Sequence, residues 1–207
     1  MVNYYLPMAR RSDHTRQELH QMALKAAQAI VKRRGLRGLS TRRIAKTMGY
    51  TPGTLYQLFA DLDDLVLQLN AKTLDELYEK CREVDFSKRP EAVLRELADK
   101  YMEFVGTAPR LWSAIFEHSL PEKHNLPSWY GERVHNLLSL AEKALLPLFP
   151  ADPQRRLHEA YVLWAGLYGI TSLAGAEKLS ETEDPKIMVE SLIRNYLAGL
   201  RVNSSAG

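Results

Sequence analysis

The chain has 207 residues, 45% of them hydrophobic and 26% charged, with a net charge of +3 and one cysteine, Cys81. That length buries a real core in one large domain or two small ones. No apolar run reaches the roughly 18 to 20 residues of a membrane span, no basic leader with an apolar stretch opens the chain, and a single cysteine excludes an internal disulfide framework. A reducing, cytoplasmic setting without membrane partners is expected.

The net charge hides an asymmetry. Residues 1–60 carry +9 and residues 61–207 carry −6. A basic head on an acidic body is expected to present the head to a polyanion; the plainer reading is an uneven solvated surface.

Helical periodicity runs through the chain, with no convincing period-2 alternation, so the fold class is all-α with about nine helices and no sheet. The first helix opens between Ser12 and Thr15, where Thr15-x-x-Glu18 reads as a capping box. Leu19, Met22, Ala23, Ala26 and Ile30 form its stripe, and Gly35 stops it. A second helix runs from Ser40 to Met48. Thr51-Pro52, a hydroxyl cap followed by proline, starts a third that ends by Phe59-Ala60. Asp61 caps a fourth, which runs to Cys81. Pro90 and Pro109 open the next two, residues 120–128 read as a loop, and Ser128 is expected to cap the seventh. Asp152-Pro153 and Asp184-Pro185 open the last two long helices. The expected division is a head at 1–60, a larger body at 61–202, and a disordered tail at 203–207.

The stretch LSTRRIAKTMGYTPGTLYQLF, residues 39–59, carries most of the functional signal. Two short amphipathic helices meet across Gly49-Tyr50-Thr51. The inward residues are Ile44, Ala45 and Met48 on one helix, Leu55 and Phe59 on the other. That is the pattern of a helix-turn-helix, whose second helix leaves one face free for a DNA major groove about 12 Å wide. An ordinary helix corner explains the glycine and proline. It does not explain Arg42, Arg43, Lys46, Thr51, Thr54 and Gln57 on the remaining faces.

The run Gly38-Leu39-Ser40-Thr41, Ile44-Ala45, Gly49-Tyr50-Thr51, Gly53-Thr54-Leu55-Tyr56 and Phe59 resembles the DNA-binding signature of the tetracycline-repressor family of bacterial transcription regulators. The resemblance covers residues 12–69. It implies a three-helix DNA-binding head, a larger helical ligand-binding body and a homodimer formed by the last two helices, with a double-stranded DNA operator and a small-molecule effector as partners. Carried over by position, Thr41, Arg42 and Tyr56 would lie near phosphate. Thr51, Pro52, Gly53, Thr54 and Gln57 would face the groove. Arg10, Arg11 and Arg16 could add contacts from the arm before the first helix. Two positions depart from the family: Leu58 stands where His or Tyr is common, and Leu62 where Lys is common. Both usual residues touch phosphate, so weaker DNA binding is one consequence. An alternative reading keeps the scaffold as a ligand-binding or protein-interaction module with weakened or lost DNA readout.

In the body, Ala160, Ala165, Gly166, Gly169, Ala174 and Gly175 at three- and four-residue spacing mark the eighth helix as a candidate dimer surface, against internal packing within one chain. The final helix carries a wide apolar band, Ile187, Val189, Leu192, Ile193, Tyr196 and Leu200. Tyr101, Phe104, Trp112, Phe116, Leu138, Trp164 and Tyr168 are the candidate lining of an effector pocket for a lipophilic or planar molecule; core filling is the plainer reading of any one of them. Glu117, His118, Glu122 and His124 cluster around residue 120 without HExxH, CxxC or repeated histidine spacing, so no metal site is expected. No phosphate-binding glycine loop, nucleophile elbow or Cys-His pair is present, and neither an enzymatic activity nor a cofactor is called for.

Overall fold

Capping chemistry decides where the helices begin. The computed structural model describes residues 14–120 and 126–205, with side chains as far as Arg201. Among them are nine α-helices, one 3-10 turn and no strand: α1 (Arg16–Arg34), the turn (Leu36–Gly38), α2 (Thr41–Met48), α3 (Pro52–Tyr56), α4 (Leu62–Cys81), α5 (Pro90–Thr107), α6 (Pro109–Glu117), α7 (Ser128–Leu145), α8 (Pro153–Gly175) and α9 (Pro185–Ser205). Thr15 caps α1 in a full capping box with Glu18. Ser40 caps α2, Asp61 accepts the Asp64 amide at the start of α4, and Asp152 accepts the Arg155 amide in α8. Each such cap satisfies an amide the helix cannot, and is worth about 1 kcal/mol.

Four expectations need correction. Thr51 sits in extended backbone at the cap position of α3 but makes no side-chain capping bond. Helix α3 is one short turn ending at Tyr56, not at Phe59; Leu58 and Phe59 continue as a tight turn whose amides bond the Leu55 carbonyl. Pro127, not Ser128, occupies the cap position of α7. The chain stays helical through Ser205, so the tail from 203 is helix as far as that residue. Ser12, Arg10, Arg11, Glu122 and His124 lie outside the described residues.

The chain divides into two compact units, Met1–Leu69 and Asn70–Gly207. The division falls inside α4, nine residues beyond the boundary expected from sequence. In the first unit α1 packs on α2 and α2 on α3. The buried residues there are Ala23, Leu24, Ala27, Ile30 and Val31 of α1, Ile44, Ala45 and Met48 of α2, and Leu55 and Phe59. Gly49 ends α2 with φ 77 and ψ 25, the left-handed conformation that costs a side-chain-bearing residue about 1 kcal/mol or more. That reversal turns the chain from α2 into α3 within three residues.

The second unit is built around α5, α7, α8 and α9: α5 contacts the other three, and α8 contacts both α7 and α9. Val93, Leu94, Ala98, Leu145, Phe149, Ala160, Leu163, Val189, Ile193, Leu197 and Leu200 form its core. A buried polar link ties α8 to α9: the Tyr196 hydroxyl donates to Glu159 Oε2, and Arg155 Nε lies 3.5 Å from Glu159 Oε1. Gly166 makes room for α9, since a Cβ there would fall 2.8 Å from Leu192 Cδ2. The small residues of α8 therefore split into two groups. Ala160 and Gly166 serve packing within the chain, while Ala165 and Gly175 stay exposed. No helix among the described residues is long and apolar enough to cross a membrane.

Burial raises the Cys81 thiol from 9.0 to about 11 and the Tyr101 and Tyr130 hydroxyls from 10.0 to about 12, because the charged forms lose hydration. Each group holds its proton longer folded than unfolded. Its stabilisation is complete below the unfolded value and is lost as pH rises through the folded one. The melting temperature is therefore expected to fall as pH rises from 9.0 towards 11, and to fall less steeply in Cys81→Ala. Identical slopes for the two proteins in a calorimetric pH series would show that the thiol takes no part.

Candidate functional site

The exposed surface of the first unit starts from what α2 and α3 cannot bury. Ser40 satisfies the Arg43 amide, so the amides of Thr41 and Arg42 at the head of α2 face outward without intrahelical partners. Arg42 and Lys46 are exposed and form no ion pair among the described residues. Arg43, by contrast, donates to the Gly38 carbonyl and braces the preceding turn.

Next to this lies α3, anchored by Leu55 and Phe59 and open on its other sides. Thr51, Pro52, Gly53 and Gln57 are exposed and Thr54 is half-buried. Tyr56 is 62% exposed, an unusual position for a tyrosine with no hydroxyl partner among the described residues. The eight residues singled out from sequence, Thr41, Arg42, Thr51, Pro52, Gly53, Thr54, Tyr56 and Gln57, thus fall on two consecutive short helices or, for Thr51 and Gln57, at the caps of the second. Helix amides, hydroxyls, an amide side chain and a guanidinium are the groups that hold phosphate and read base edges. Leu58 and Leu62 are half-buried beside them. The nearby acids are committed to local hydrogen bonds: Asp61 Oδ1 accepts the Asp64 amide at 2.8 Å, and Asp64 Oδ2 accepts the Ala60 amide at 3.0 Å.

Sequence reasoning missed what stands behind this surface. Arg16 Nη2 donates to the Gln57 carbonyl at 3.2 Å, His14 Nδ1 pairs with the Tyr50 hydroxyl at 2.8 Å, and the His20 ring stacks on Phe59 at 4.7 Å between centroids. Arg16 was expected in the arm before the first helix; it is the first residue of α1. The available clue was His20 itself, a titratable ring next to the inward stripe residue Leu19.

In the second unit the six aromatic candidates form one contiguous cluster. Trp112 meets Tyr101, Phe104 and Phe116 edge-on at 5.2, 6.4 and 5.4 Å. Phe116 then meets Tyr168 at 4.2 Å and Trp164 at 6.0 Å. A cavity of about 90 Å³ lies on one side, lined by Tyr101, Leu138 and Trp164 with Leu77, Cys81, Leu94, Leu163, Leu167 and Leu192 among others. A larger hollow of about 370 Å³ is lined by Trp112, Phe116 and Tyr168 with Glu117, Ser113 and Ser172. Phe104 lines neither and is buried in the cluster. Among the described residues neither hollow has a lysine or arginine in its wall. Among the described residues no three His, Cys, Asp or Glu side chains gather as a metal site.

Comparison with known proteins gives the following. Residues 23–69 match the bacterial regulatory proteins of the tetR family, and residues 94–196 match the tetracyclin repressor-like C-terminal domain. The HTH-type transcriptional regulator YobS of Bacillus subtilis (strain 168), itself uncharacterised, is 23% identical over 184 residues, which covers 89% of this chain and 93% of the relative. A Rhodococcus sp. RHA1 protein of unknown function has the same fold, with a TM-score of 0.73 at 20% identity over 92% of this chain and 98% of its own. FadR of Bacillus subtilis, solved in complex with stearoyl-CoA, superposes with a TM-score of 0.66 at 14% identity over 87% and 98% of the two chains.

A methyl group at residue 53 would meet nothing nearer than Thr51 Oγ1 at 3.7 Å, so the fold has room for a side chain there. Gly53→Ala is expected to raise the unfolding free energy by about 0.5 kcal/mol, since alanine loses less backbone entropy in a helix. Loss of stability in urea titration would show that the fold itself, and no outside partner, demands the glycine.

Proposed function

This chain belongs to the tetracycline-repressor family of bacterial regulatory proteins and is a helix-turn-helix transcriptional regulator; from that membership we propose that it acts as a homodimeric repressor. Two heads bind a near-palindromic operator, and a small lipophilic effector in the body releases them. The observation that carries the DNA half is the open face of α3. A five-residue helix and its C-terminal cap give Tyr56 and Gln57 to solvent beside the uncommitted cations Arg42 and Lys46, on a head of charge +9. Thr41, Arg42 and Tyr56 hold phosphate in this reading; Thr51, Pro52, Gly53, Thr54 and Gln57 meet the groove.

The dimer is supported by the outer face of α8. Tyr161, Val162 and Leu173 are exposed there, in line with Ala165, Ser172 and Ala176 at helical spacing. Large apolar side chains in register on a solvent face suit burial against a second copy. Because the interface is twofold, the operator must be close to palindromic as well.

The effector is supported by the cavity. At about 90 Å³ it is smaller than the roughly 300 to 1,000 Å³ typical of ligand sites. A molecule that enters must widen it, and a ligand that fits one shape of the body better than another shifts the balance between them. Helix α4 provides the covalent path from body to head. The Bacillus subtilis FadR structure holds an acyl-CoA, but a coenzyme A headgroup brings phosphates that call for cations. The uncharged lining here favours a neutral lipophile or planar molecule. The half-buried Leu58 and Leu62 support the competing module with lost DNA readout.

Replacing Thr54 by Ala together with Tyr56 by Phe is expected to weaken operator binding by about tenfold or more, as two phosphate or groove contacts are lost. Unchanged affinity in gel-shift titration would transfer support to that module. Leu173→Glu is expected to turn the dimer into monomers in sedimentation velocity, because a carboxylate would be buried in an apolar interface. A dimer that persists would place the interface elsewhere.

A further inference from the structure

Helix α3 is too short to hold its own orientation, and the structure points to what holds it. Forming one helical turn fixes several residues for a single hydrogen bond, so five residues carry no stability of their own. Leu55 and Phe59 anchor the underside of this segment, but the carbonyl of Gln57 at its end is left free by the helix. Arg16 Nη2 donates to that carbonyl at 3.2 Å. One turn further along α1, His20 stacks on Phe59 with 23° between the rings, and its Nε2 is 2.7 Å from Gln68 Oε1. The Gln68 amide nitrogen donates to Asp64 Oδ1 at 2.8 Å, so the Gln68 oxygen accepts from the His20 Nε2–H. Asp64 Oδ2 in turn accepts the Ala60 amide. A continuous chain therefore runs from α1 through His20, Gln68 and Asp64 to the backbone that follows α3.

We propose that Arg16 and His20 are positioning residues for DNA recognition: they fix the orientation of α3 through Gln57, Phe59 and the Gln68–Asp64 link, and touch neither base nor phosphate. This rests on the reading of α3 as the element that meets DNA. For Arg16 it reverses the expected role. A guanidinium committed to a protein carbonyl orients the reader and is not one of its phosphate contacts.

The two roles leave different marks on binding. A phosphate contact contributes equally on every sequence and adds about one unit to the salt slope. A positioning residue contributes only where the bases must be met in register. A residue that merely stabilises the fold alters the active fraction, and so lowers both affinities together.

The test uses the full chain, a duplex selected by the wild-type protein from a random pool, and a scrambled duplex of equal length and composition. Affinity is measured on both across a salt series, with melting temperature as a control for folding. Arg16→Lys and His20→Phe are each expected to lower affinity for the selected duplex by about tenfold, to leave the scrambled duplex within about twofold, and to keep the salt slope. Gln68→Leu, which breaks the chain from its other end, is expected to add nothing to His20→Phe, as coupled residues do. Equal loss on both duplexes, or a slope lower by about one in Arg16→Gln, would overturn the proposal for that residue. Additive His20 and Gln68 effects would overturn the chain. The Thr54→Ala, Tyr56→Phe pair separates the two levels. If that pair loses preference for the selected duplex while the α1 variants keep it, only the positioning role fails. If that pair keeps the preference, α3 is not the reader, and the positioning role falls with it.

Discussion

A helix one turn long must be held from outside, and that constraint organises the first unit. Helix α3 has five residues, fewer than any isolated helix needs to persist in water. Its attachment therefore comes from burial of Leu55 and Phe59, from the left-handed Gly49 that delivers it, and from α1 side chains that take up its free carbonyl and stack on its anchor. Shortness is also what leaves its other faces open. A longer helix would bury more of itself and present less. The same economy appears at Asp61 and Asp64, which cap the next helix, so two acids near the surface are engaged in structure.

The second unit meets a different demand. Helix α8 packs inward through Ala160, Leu163 and Gly166, yet carries Tyr161, Val162 and Leu173 outward. In the proposed dimer the inner side meets the chain's own core and the outer side a second copy. Close by, the aromatic residues line two hollows of about 90 and 370 Å³, so small movements of Trp112, Phe116 or Trp164 would change how much space the body encloses. In the proposed mechanism this is where effector binding acts, and α4 carries the consequence across the division at Leu69.

Most of the architecture was legible because it is written in local chemistry. Thr15 with Glu18, Ser40, Asp61, Asp152 and the prolines at 52, 90, 109, 153 and 185 mark helix starts by satisfying or lacking amides, and such signals need no knowledge of the rest of the chain. Thr51 and Ser128 carried the same signal and were misread, since a hydroxyl can occupy or neighbour a cap without making the bond. The 3-10 turn at Leu36–Gly38 went unseen because three residues have no period. In the candidate site, the residues of α2 and α3 were singled out from spacing and resemblance, and the fold leaves most of them exposed. The roles of Arg16 and His20 were not, because they depend on contacts 41 and 39 positions away in sequence, to Gln57 and Phe59. The pocket candidates were chosen as suggestive aromatics, and sequence has no term for empty volume; in the fold all but Phe104 line one of two hollows, while Phe104 fills the core.

The central claim is that the head reads base sequence, beyond attracting phosphate. The most direct measurement is fluorescence anisotropy with the DNA upstream of the protein's own gene against a shuffled fragment, over a range of salt concentrations. Attraction to phosphate alone weakens steeply and equally on both fragments as salt rises, whereas base contacts survive on one. A preference for the upstream fragment that persists at high salt is the expected result. Equal, salt-fragile binding to both fragments would contradict sequence readout by α3 at that site.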